Sequence, residues 1–276
     1  VRLVNQDKCP AWLGFVPKVS LYEQFETRKH AAFQAQAVIV LDCGDLERIG
    51  NVSQLIKPGV KVVNIDHHFT NERFGDINLV RDRYSSTSEI LYDLLRSAGC
   101  RFTKELAVLL YLGILTDTGS FGFDCTTTHT HEVVSRLLRF NFSVSDIFGK
   151  AYETLPKRDL KPFLALLNRL ELHYDDRVAC LVLTKKDIET ISGDFDLKDK
   201  VFNFLRAVQG LEVIVILTEQ EVKRTRLNFR SRGVFDVASL AGKFGGGGHK
   251  KASGGFLDKG LAKSKTIVLS AIGKAL

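Results

Sequence analysis

Three stretches of apolar residues each lead to a side chain that can bind a metal ion. Residues 37–41 lead into Asp42, and residues 61–65 lead towards His67. Asp117 follows a predicted apolar helix further along the chain. Two carboxylates and an imidazole form a donor set that a hard or borderline divalent cation such as Mn²⁺ accepts. The sequence therefore predicts that these three residues converge on a cation. Each of them taken alone is equally typical of a cap, turn or loop.

The strands that would position two of these residues can be predicted from the same segment. The runs 37–41 and 61–65 are continuous and rich in β-branched residues, which is typical of strands buried on both faces of a sheet. Residues 46–59 are long enough for a crossover, which favours parallel pairing. Because ligands bind beyond the carboxyl ends of parallel strands, Asp42 and His67 are expected to lie close together.

Helical patterns follow the predicted strands. Ser86 and Glu89 have the spacing of a capping box, which predicts a helix that ends near Gly99. Further helices are predicted over 105–112 and 131–140. Alternating strands and helices predict an α/β fold with a parallel sheet for this part of the chain.

The remainder of the chain predicts a smaller α/β domain. A Leu-rich helical stretch separates the two parts, so we predict a first domain over 1–151, a helical linker over 152–176 and a second domain over 177–276. In the second domain, strands are predicted over 178–183, 213–217 and 226–230, and helices over 197–208 and 236–244.

The composition limits the class of protein. Of 276 residues, 45% are hydrophobic and 26% are charged, and no apolar run is long enough to span a bilayer. We therefore expect a soluble globular protein with no membrane partner. The 5 cysteines are scattered without a C-x-x-C pair, which favours a reducing, cytoplasmic location over a disulfide framework.

Positive charge is concentrated in the predicted second domain. Residues 177–276 contain 18 Lys and Arg against 10 Asp and Glu, whereas the whole chain has a net charge of +7. Such a basic domain suits an anionic substrate that it binds while the other domain acts on it. Solubility alone is the alternative explanation of this charge.

A run of glycines, 245–248, precedes His249, Lys250 and Lys251 in the second domain. Glycine leaves the backbone N–H groups unobstructed, so that they can approach a phosphate closely. The basic side chains would add further donors. The sequence therefore predicts a phosphate-binding loop here, with a flexible linker as the alternative.

Four segments together resemble the DHH phosphoesterase superfamily. They are residues 41–48, 65–71, 116–121 and 245–254, and they occur in the family's order. The last segment resembles the branch that carries a DHH-associated domain of the first type. The resemblance implies a Mn²⁺-dependent phosphoesterase, with Mg²⁺ or Co²⁺ as substitutes, in which water activated between two metal ions attacks phosphorus. It also implies substrates: short single-stranded oligoribonucleotides and 3′-phosphoadenosine 5′-phosphate.

The resemblance also implies roles for residues of the first domain. Asp42 matches a carboxylate that bridges two Mn²⁺ ions, and His67 and Asp117 match ligands of one of them. Asp66 matches the residue that orients the histidine, and His68 matches a residue that faces the phosphate. Asp42, His67, His68 and Asp117 are thus the expected catalytic residues.

In the second domain, the resemblance implies a substrate-binding site. Arg230 matches the family's substrate-binding arginine, and His68 of the first domain also contacts substrate in this expectation. The glycine-rich segment supplies the remaining substrate-binding residues, which are Gly246, Gly247, Gly248 and His249. A homodimer is expected by resemblance alone.

The chain departs from the family in one respect. The family's first motif, His-x-x-Pro-Asp-x-Asp, is not in this sequence, which begins at Val1 and contains no methionine. We expect this motif to lie upstream of Val1. Two alternatives stay open: a phosphodiesterase for linear or cyclic dinucleotides, and a non-catalytic nucleotide-binding protein that lacks one metal subsite.

Overall fold

A computed structural model of the protein describes residues 1–30 and 33–276. The described residues divide into two units, Val1–Ala151 and Tyr152–Leu276. None of the described helices is long and apolar enough to cross a membrane. The α/β fold class predicted from the sequence is confirmed.

The first unit combines short parallel strands with helices. Its elements are β1 Leu3–Asn5, β2 Tyr22–Gln24, α1 Thr27–His30, β3 Ala37–Leu41, β4 Lys61–Asp66, β5 Ile77–Val80, α2 Thr87–Ser97, α3 Lys104–Asp117, α4 Thr128–Leu138 and α5 Val144–Tyr152. A 3-10 segment, Leu46–Leu55, connects β3 with β4.

Strands β3, β4 and β5 form a parallel sheet in the order β3-β4-β5. Leu41 of β3 lies opposite Ile65 of β4, so the predicted parallel pairing is confirmed. This register brings the ends of both strands to the same edge of the sheet. The residues that follow the two strands therefore start from neighbouring positions.

The prediction that β3 is buried on both faces is wrong. Val40 is buried and packs with Val62 and the 3-10 segment, whereas Ile39 and Leu41 on the opposite face are 62% and 45% exposed. Among the described residues β3 is an edge strand, and the central strand β4 is the better covered of the two. A continuous apolar run is therefore compatible with one exposed face.

The helices of the first unit begin where side chains can accept backbone N–H groups. The Ser86 hydroxyl accepts the N–H of Glu89 at the start of α2, as the capping-box pattern predicts. The Glu89 carboxylate, which is buried, accepts the N–H of Ser85 instead of that of Ser86. Thr103 caps α3, which ends at Asp117 and thereby fixes the position of this carboxylate.

The second unit is a mixed sheet covered by helices on both faces. Its elements are α6 Leu160–Leu167, β6 Glu171–His173, β7 Val178–Leu183, α7 Lys185–Thr190, α8 Leu197–Arg206, β8 Val213–Glu221, β9 Arg224–Ser231, α9 Val237–Gly242, β10 Gly247–His249, β11 Ala252–Leu257 and α10 Leu261–Gly273. The sheet order is β10-β11-β9-β8-β7-β6. Strand β7 pairs with β8 in parallel, and the other pairs are antiparallel.

Alternation along the strands of the second unit builds a core on each face of the sheet. Ile214 and Ile216 of β8 pack with α8, for example with Leu205. Val215 of the same strand packs on the other face with α10, for example with Val268. Burial of both faces supplies most of the hydrophobic stabilisation of this unit.

The segment predicted as a helical linker, 152–176, belongs to the second unit in the described structure. It contains α6, and it also contains β6, which pairs with β7. The predicted helix is thus shorter than the segment, because residues 171–173 extend the sheet. The linker and the domain limits of 1–151 and 177–276 stay predictions.

Candidate functional site

Asp42, His67 and Asp117 lie together in the first unit. Each offers one donor atom, and these atoms all lie within 4.8 Å of one another. His67 Nε2 is 3.5 Å from Asp42 Oδ1 and 3.8 Å from Asp117 Oδ2. The ends of β3, β4 and α3 position the three side chains, and their role as metal ligands stays a prediction.

Asp42 has a left-handed backbone conformation at the point where β3 ends. Its φ is +58°, a value that few residues other than glycine adopt and that aspartate and asparagine tolerate best. The Asp42 N–H donates to the carbonyl of Ile65 at 3.0 Å. Such local strain is found where the surrounding structure holds a functional side chain in place.

The ring of His67 is held by the backbone of a neighbouring loop. His67 Nδ1 lies 3.3 Å from the carbonyl oxygen of Tyr84. Since a carbonyl only accepts hydrogen bonds, Nδ1 carries the proton and Nε2 is left to face the two carboxylates. Burial lowers the pKa of His67, which favours the neutral form that a metal ligand requires.

The carboxylate of Asp117 is the group whose ionisation the site opposes most. Its burial, together with the negative charge of Asp42, raises the pKa of Asp117 to about 7. A bound cation would offset the unfavourable free energy of ionising Asp117, because it attracts the carboxylates of both Asp42 and Asp117. The residue types and their spacing therefore fit a divalent cation.

Asp66 organises the residues around the candidate ligands. It is fully buried, and it accepts hydrogen bonds from His68 Nδ1 at 2.7 Å, Asn71 Nδ2 at 2.6 Å and the His67 N–H at 2.8 Å. Although burial raises the pKa of Asp66, the hydrogen bonds from His68 and Asn71 lower it to about 2. Asp66 is thus ionised at neutral pH.

The partner of Asp66 differs from the sequence-based expectation. The expected partner was the ring of His67, yet the side chain of Asp66 orients the ring of His68, and Tyr84 orients that of His67. Burial lowers the pKa of His68, but the hydrogen bond and charge of Asp66 raise it more. The contact of His68 with substrate stays a prediction.

Sequence reasoning missed Thr87. Its hydroxyl donates to Asp42 Oδ1 at 2.9 Å, and the residue is buried at the first position of α2. The contact joins residues 45 positions apart, and a threonine beside a capping serine carries no recognisable signal. Thr87 therefore holds the rotamer of a candidate metal ligand.

Replacing Thr87 by valine is expected to weaken Mn²⁺ binding about 10-fold, because groups that orient metal ligands contribute effects of this size. Valine has nearly the shape of threonine but lacks the hydroxyl that donates to Asp42. Isothermal titration with Mn²⁺ measures the change, and T87S, which keeps the hydroxyl, is the control. Unchanged affinity in T87V would show that Asp42 needs no such support.

In the second unit, the register of three strands brings the predicted substrate-binding residues into one row. Arg230 of β9 lies opposite Ala252 of β11, and Ala252 lies opposite His249 of β10. Because residues in register point to the same face of a sheet, Arg230 and His249 share a face with the small Ala252 between them. This row could hold an anion between two cationic or hydrogen-bonding groups.

The prediction of a loop over 245–248 is wrong for its second half. Gly247 and Gly248 belong to β10 and pair with β11. A Cβ at Gly248, whose φ is +138°, would lie 2.6 Å from the carbonyl oxygen of Ala252, and a Cβ at Gly246 would collide with that of Gly254. The glycines therefore allow two strands to approach closely, and their contact with substrate stays a prediction.

Arg230 is half-buried on its strand. Its guanidinium lies 4.6 Å from the ring centroid of Phe202 and donates to the carbonyl of Phe229 at 3.0 Å. Burial lowers the pKa of Arg230, and Asp199 opposes this effect. An arginine remains charged under these conditions, so this face of the sheet presents a fixed positive group.

Comparison with known proteins gives the class of this protein. Residues 3–114 match the description "DHH family, N-terminal domain", and residues 167–274 match the "DHHA1 domain". Together with the clustered carboxylates and imidazoles, these matches define a metal-dependent phosphoesterase. The chain belongs to the DHH family and carries the DHHA1 domain of one of its branches.

Individual relatives agree with this assignment. The chain is 31% identical over 86% of its length to the "bifunctional oligoribonuclease and PAP phosphatase NrnA" of Bacillus subtilis, of which it covers 75%. It is 31% identical over 91% of its length to the protein of that name from Thermus thermophilus, of which it covers 73%. An exopolyphosphatase-related protein from Bacteroides fragilis has a similar structure, with a TM-score of 0.85, 25% identity and coverage of 99% of this chain and 83% of that one.

Proposed function

We propose that this protein is a Mn²⁺-dependent phosphoesterase that hydrolyses short oligoribonucleotides and 3′-phosphoadenosine 5′-phosphate. The observation that carries the proposal is the convergence of Asp42, His67 and Asp117 on one cluster of donor atoms. The names of the relatives from Bacillus subtilis and Thermus thermophilus supply the substrate class.

In this proposal Asp42, His67 and Asp117 hold the metal. A divalent cation bound there supplies Lewis acidity towards a phosphoryl oxygen and lowers the pKa of water. The chain's own contribution is to fix the ligands: Thr87 orients Asp42, and the Tyr84 carbonyl keeps the proton of His67 on Nδ1. His68, whose ring is held by the ionised Asp66, donates a hydrogen bond to a phosphate in this proposal.

The second unit binds the substrate in this proposal. Arg230 and His249 lie in one row on the same face of the sheet and bind a phosphate of the nucleotide. Gly247 and Gly248 of β10 precede His249 and, with Gly246, complete the proposed contacts with the phosphate. The excess of positive charge over 177–276 attracts anionic substrates to this unit.

The test is hydrolysis of a diadenylate, of 3′-phosphoadenosine 5′-phosphate and of a long RNA duplex with Mn²⁺ present. We expect the two small substrates to be hydrolysed, the duplex to resist, and EDTA to abolish turnover because the ion is removed from its carboxylate and imidazole ligands. Mg²⁺ and Co²⁺ added after EDTA compare the candidate ions.

Other outcomes would replace the proposal. Equal rates on the duplex and the diadenylate would contradict the preference for short substrates. Faster cleavage of cyclic than of linear diadenylate would change the substrate class, and binding without hydrolysis of any substrate would leave a nucleotide-binding protein.

A further inference from the structure

Strand β9 presents a line of polar side chains that extends beyond Arg230. Arg224, Arg226 and Asn228 alternate with buried Thr225, Leu227 and Phe229, whose side chains point into the core. Because strand residues two apart share a face, the polar residues lie on the same face as Arg230. The line therefore continues the face that carries the candidate phosphate-binding row.

An exposed aromatic ring stands beside this line. Phe256 of β11 lies opposite Arg226 and is 43% exposed. The guanidinium of Arg224 lies 4.9 Å and that of Arg226 5.8 Å from the centroid of its ring. These three residues, which we call the Arg–Phe surface, combine planar groups with positive charge.

Asn228 lies between Arg230 and the Arg–Phe surface on the same face of β9. Asn228 lies opposite Gly254, so β11 contributes no side chain at this point. The Oδ1 atom of Asn228 is buried and has no hydrogen-bond partner among residues 1–30 and 33–276. A buried acceptor in this state is expected to be satisfied by an ordered water or by a bound group.

The distance along β9 exceeds the reach of one nucleotide's phosphate. Arg226 and Arg230 are four residues apart, which corresponds to about 13 Å of extended strand. A mononucleotide bound through its phosphate at Arg230 would leave the Arg–Phe surface unused, whereas a chain of several nucleotides would cover both.

We infer that the Arg–Phe surface is a second nucleotide subsite, on which a base of a short single-stranded RNA stacks while a neighbouring phosphate binds Arg226. This inference rests on the proposed function, since it concerns the more distant nucleotides of that substrate. Bases stack on aromatic rings and on guanidinium planes without regard to sequence. The surface thus favours oligonucleotides over mononucleotides.

The local charges agree with an anionic ligand. Burial lowers the pKa of Lys198, and the positive charges of Arg226 and Arg230 lower it further against the opposing charge of Asp196. Asp258 lies 3.7 Å from Arg224 and offsets part of the positive charge of that arginine. Arg226, by contrast, has no ion-pair partner among the described residues. Arg226 is therefore the group that we assign to the phosphate.

The inference is tested with F256A and R226A in the full chain. Binding of a fluorescent pentaadenylate is measured by anisotropy in EDTA, so that no turnover occurs, and hydrolysis of 3′-phosphoadenosine 5′-phosphate is measured separately with Mn²⁺. We expect each substitution to weaken pentaadenylate binding about 10-fold, the effect of losing one stacked base or one phosphate contact. The loss in kcat/KM for the mononucleotide should be smaller than this.

Matched variants separate stacking from folding. F256Y keeps an aromatic ring and should retain binding, and R226K keeps the charge without the planar group and should fall between R226A and the wild type. F204A removes a phenylalanine of α8 that is 56% exposed and lies outside the Arg–Phe surface. It should bind pentaadenylate as the wild type does.

Each result decides the inference. Equal losses for the pentanucleotide and the mononucleotide, or no loss in F256A and R226A, would overturn it, as would a wild-type protein that binds no pentaadenylate. If the surface binds a protein partner instead of RNA, F256A and R226A should bind pentaadenylate as the wild type does. If the wild type binds pentaadenylate but hydrolyses nothing with Mn²⁺, the proposed function fails while the binding series still decides the inference.

Discussion

Replacing Asp42 by asparagine is expected to lower kcat/KM for 3′-phosphoadenosine 5′-phosphate about 1000-fold and to weaken Mn²⁺ binding. The Asp42 carboxylate is the proposed metal ligand; it lies 3.5 Å from His67 Nε2 and accepts a hydrogen bond from the Thr87 hydroxyl at 2.9 Å. Loss of its charge removes about 4 kcal/mol of transition-state stabilisation through the metal. Phosphate release and isothermal titration with Mn²⁺ measure the two effects.

Asparagine is the informative substitution at this position. It tolerates the left-handed φ of +58° about as well as aspartate does, whereas alanine adds backbone strain to the loss of the ligand. D82N, which changes an exposed aspartate of the same unit, is the control and should have wild-type activity. A D42N variant that binds Mn²⁺ and hydrolyses substrate as the wild type does would show that Asp42 is not a ligand of the metal.

Replacing Arg230 by alanine is expected to lower kcat/KM about 100-fold, mainly through KM. The guanidinium is half-buried against Phe202 at 4.6 Å, so its interaction with a phosphate is only partly screened by water. Truncating one member of a desolvated charge pair costs a few kcal/mol, which corresponds to this factor. Steady-state kinetics on 3′-phosphoadenosine 5′-phosphate measure the change.

Arg232 provides the comparison for Arg230. Its guanidinium donates to the carbonyl of Arg206 at 3.0 Å, at the end of α8, so R232A should lower stability and leave KM near the wild-type value. R230K should recover part of the affinity, because lysine keeps the charge but not the planar fork. A wild-type KM in R230A would contradict the assignment of Arg230 to the phosphate.

The sequence allows much of the sheet in the first unit to be predicted, because the β-branched runs and the length of their connection determine parallel pairing. The pairing of Leu41 with Ile65 confirms that prediction. The exposed face of β3 was not predictable, since an apolar run does not report which neighbours cover it. Helix starts could be predicted because their signals are local: Asp236, the first residue of the helix predicted over 236–244, accepts two N–H groups within the next three residues.

Parts of the site depend on contacts that no local pattern records. The clustering of Asp42 with His67 was expected from the ends of β3 and β4, whereas Asp117 reaches the cluster from the end of α3. Their role as metal ligands stays a prediction. The Thr87 contact with Asp42 joins residues 45 positions apart and was missed. The glycine run was misjudged because glycine weakens isolated strands, whereas here pairing with β11 at close range requires it.

The alternation of side chains along β9 has a consequence for how this protein tolerates mutation. Leu227 and Phe229 are fully buried, so substitutions there reduce the yield of folded protein, whereas changes at the exposed Arg226 leave the interior intact. Adjacent codons therefore experience unrelated selective pressures. Substitutions at the exposed positions of β9 can therefore change ligand preference during evolution without lowering thermostability.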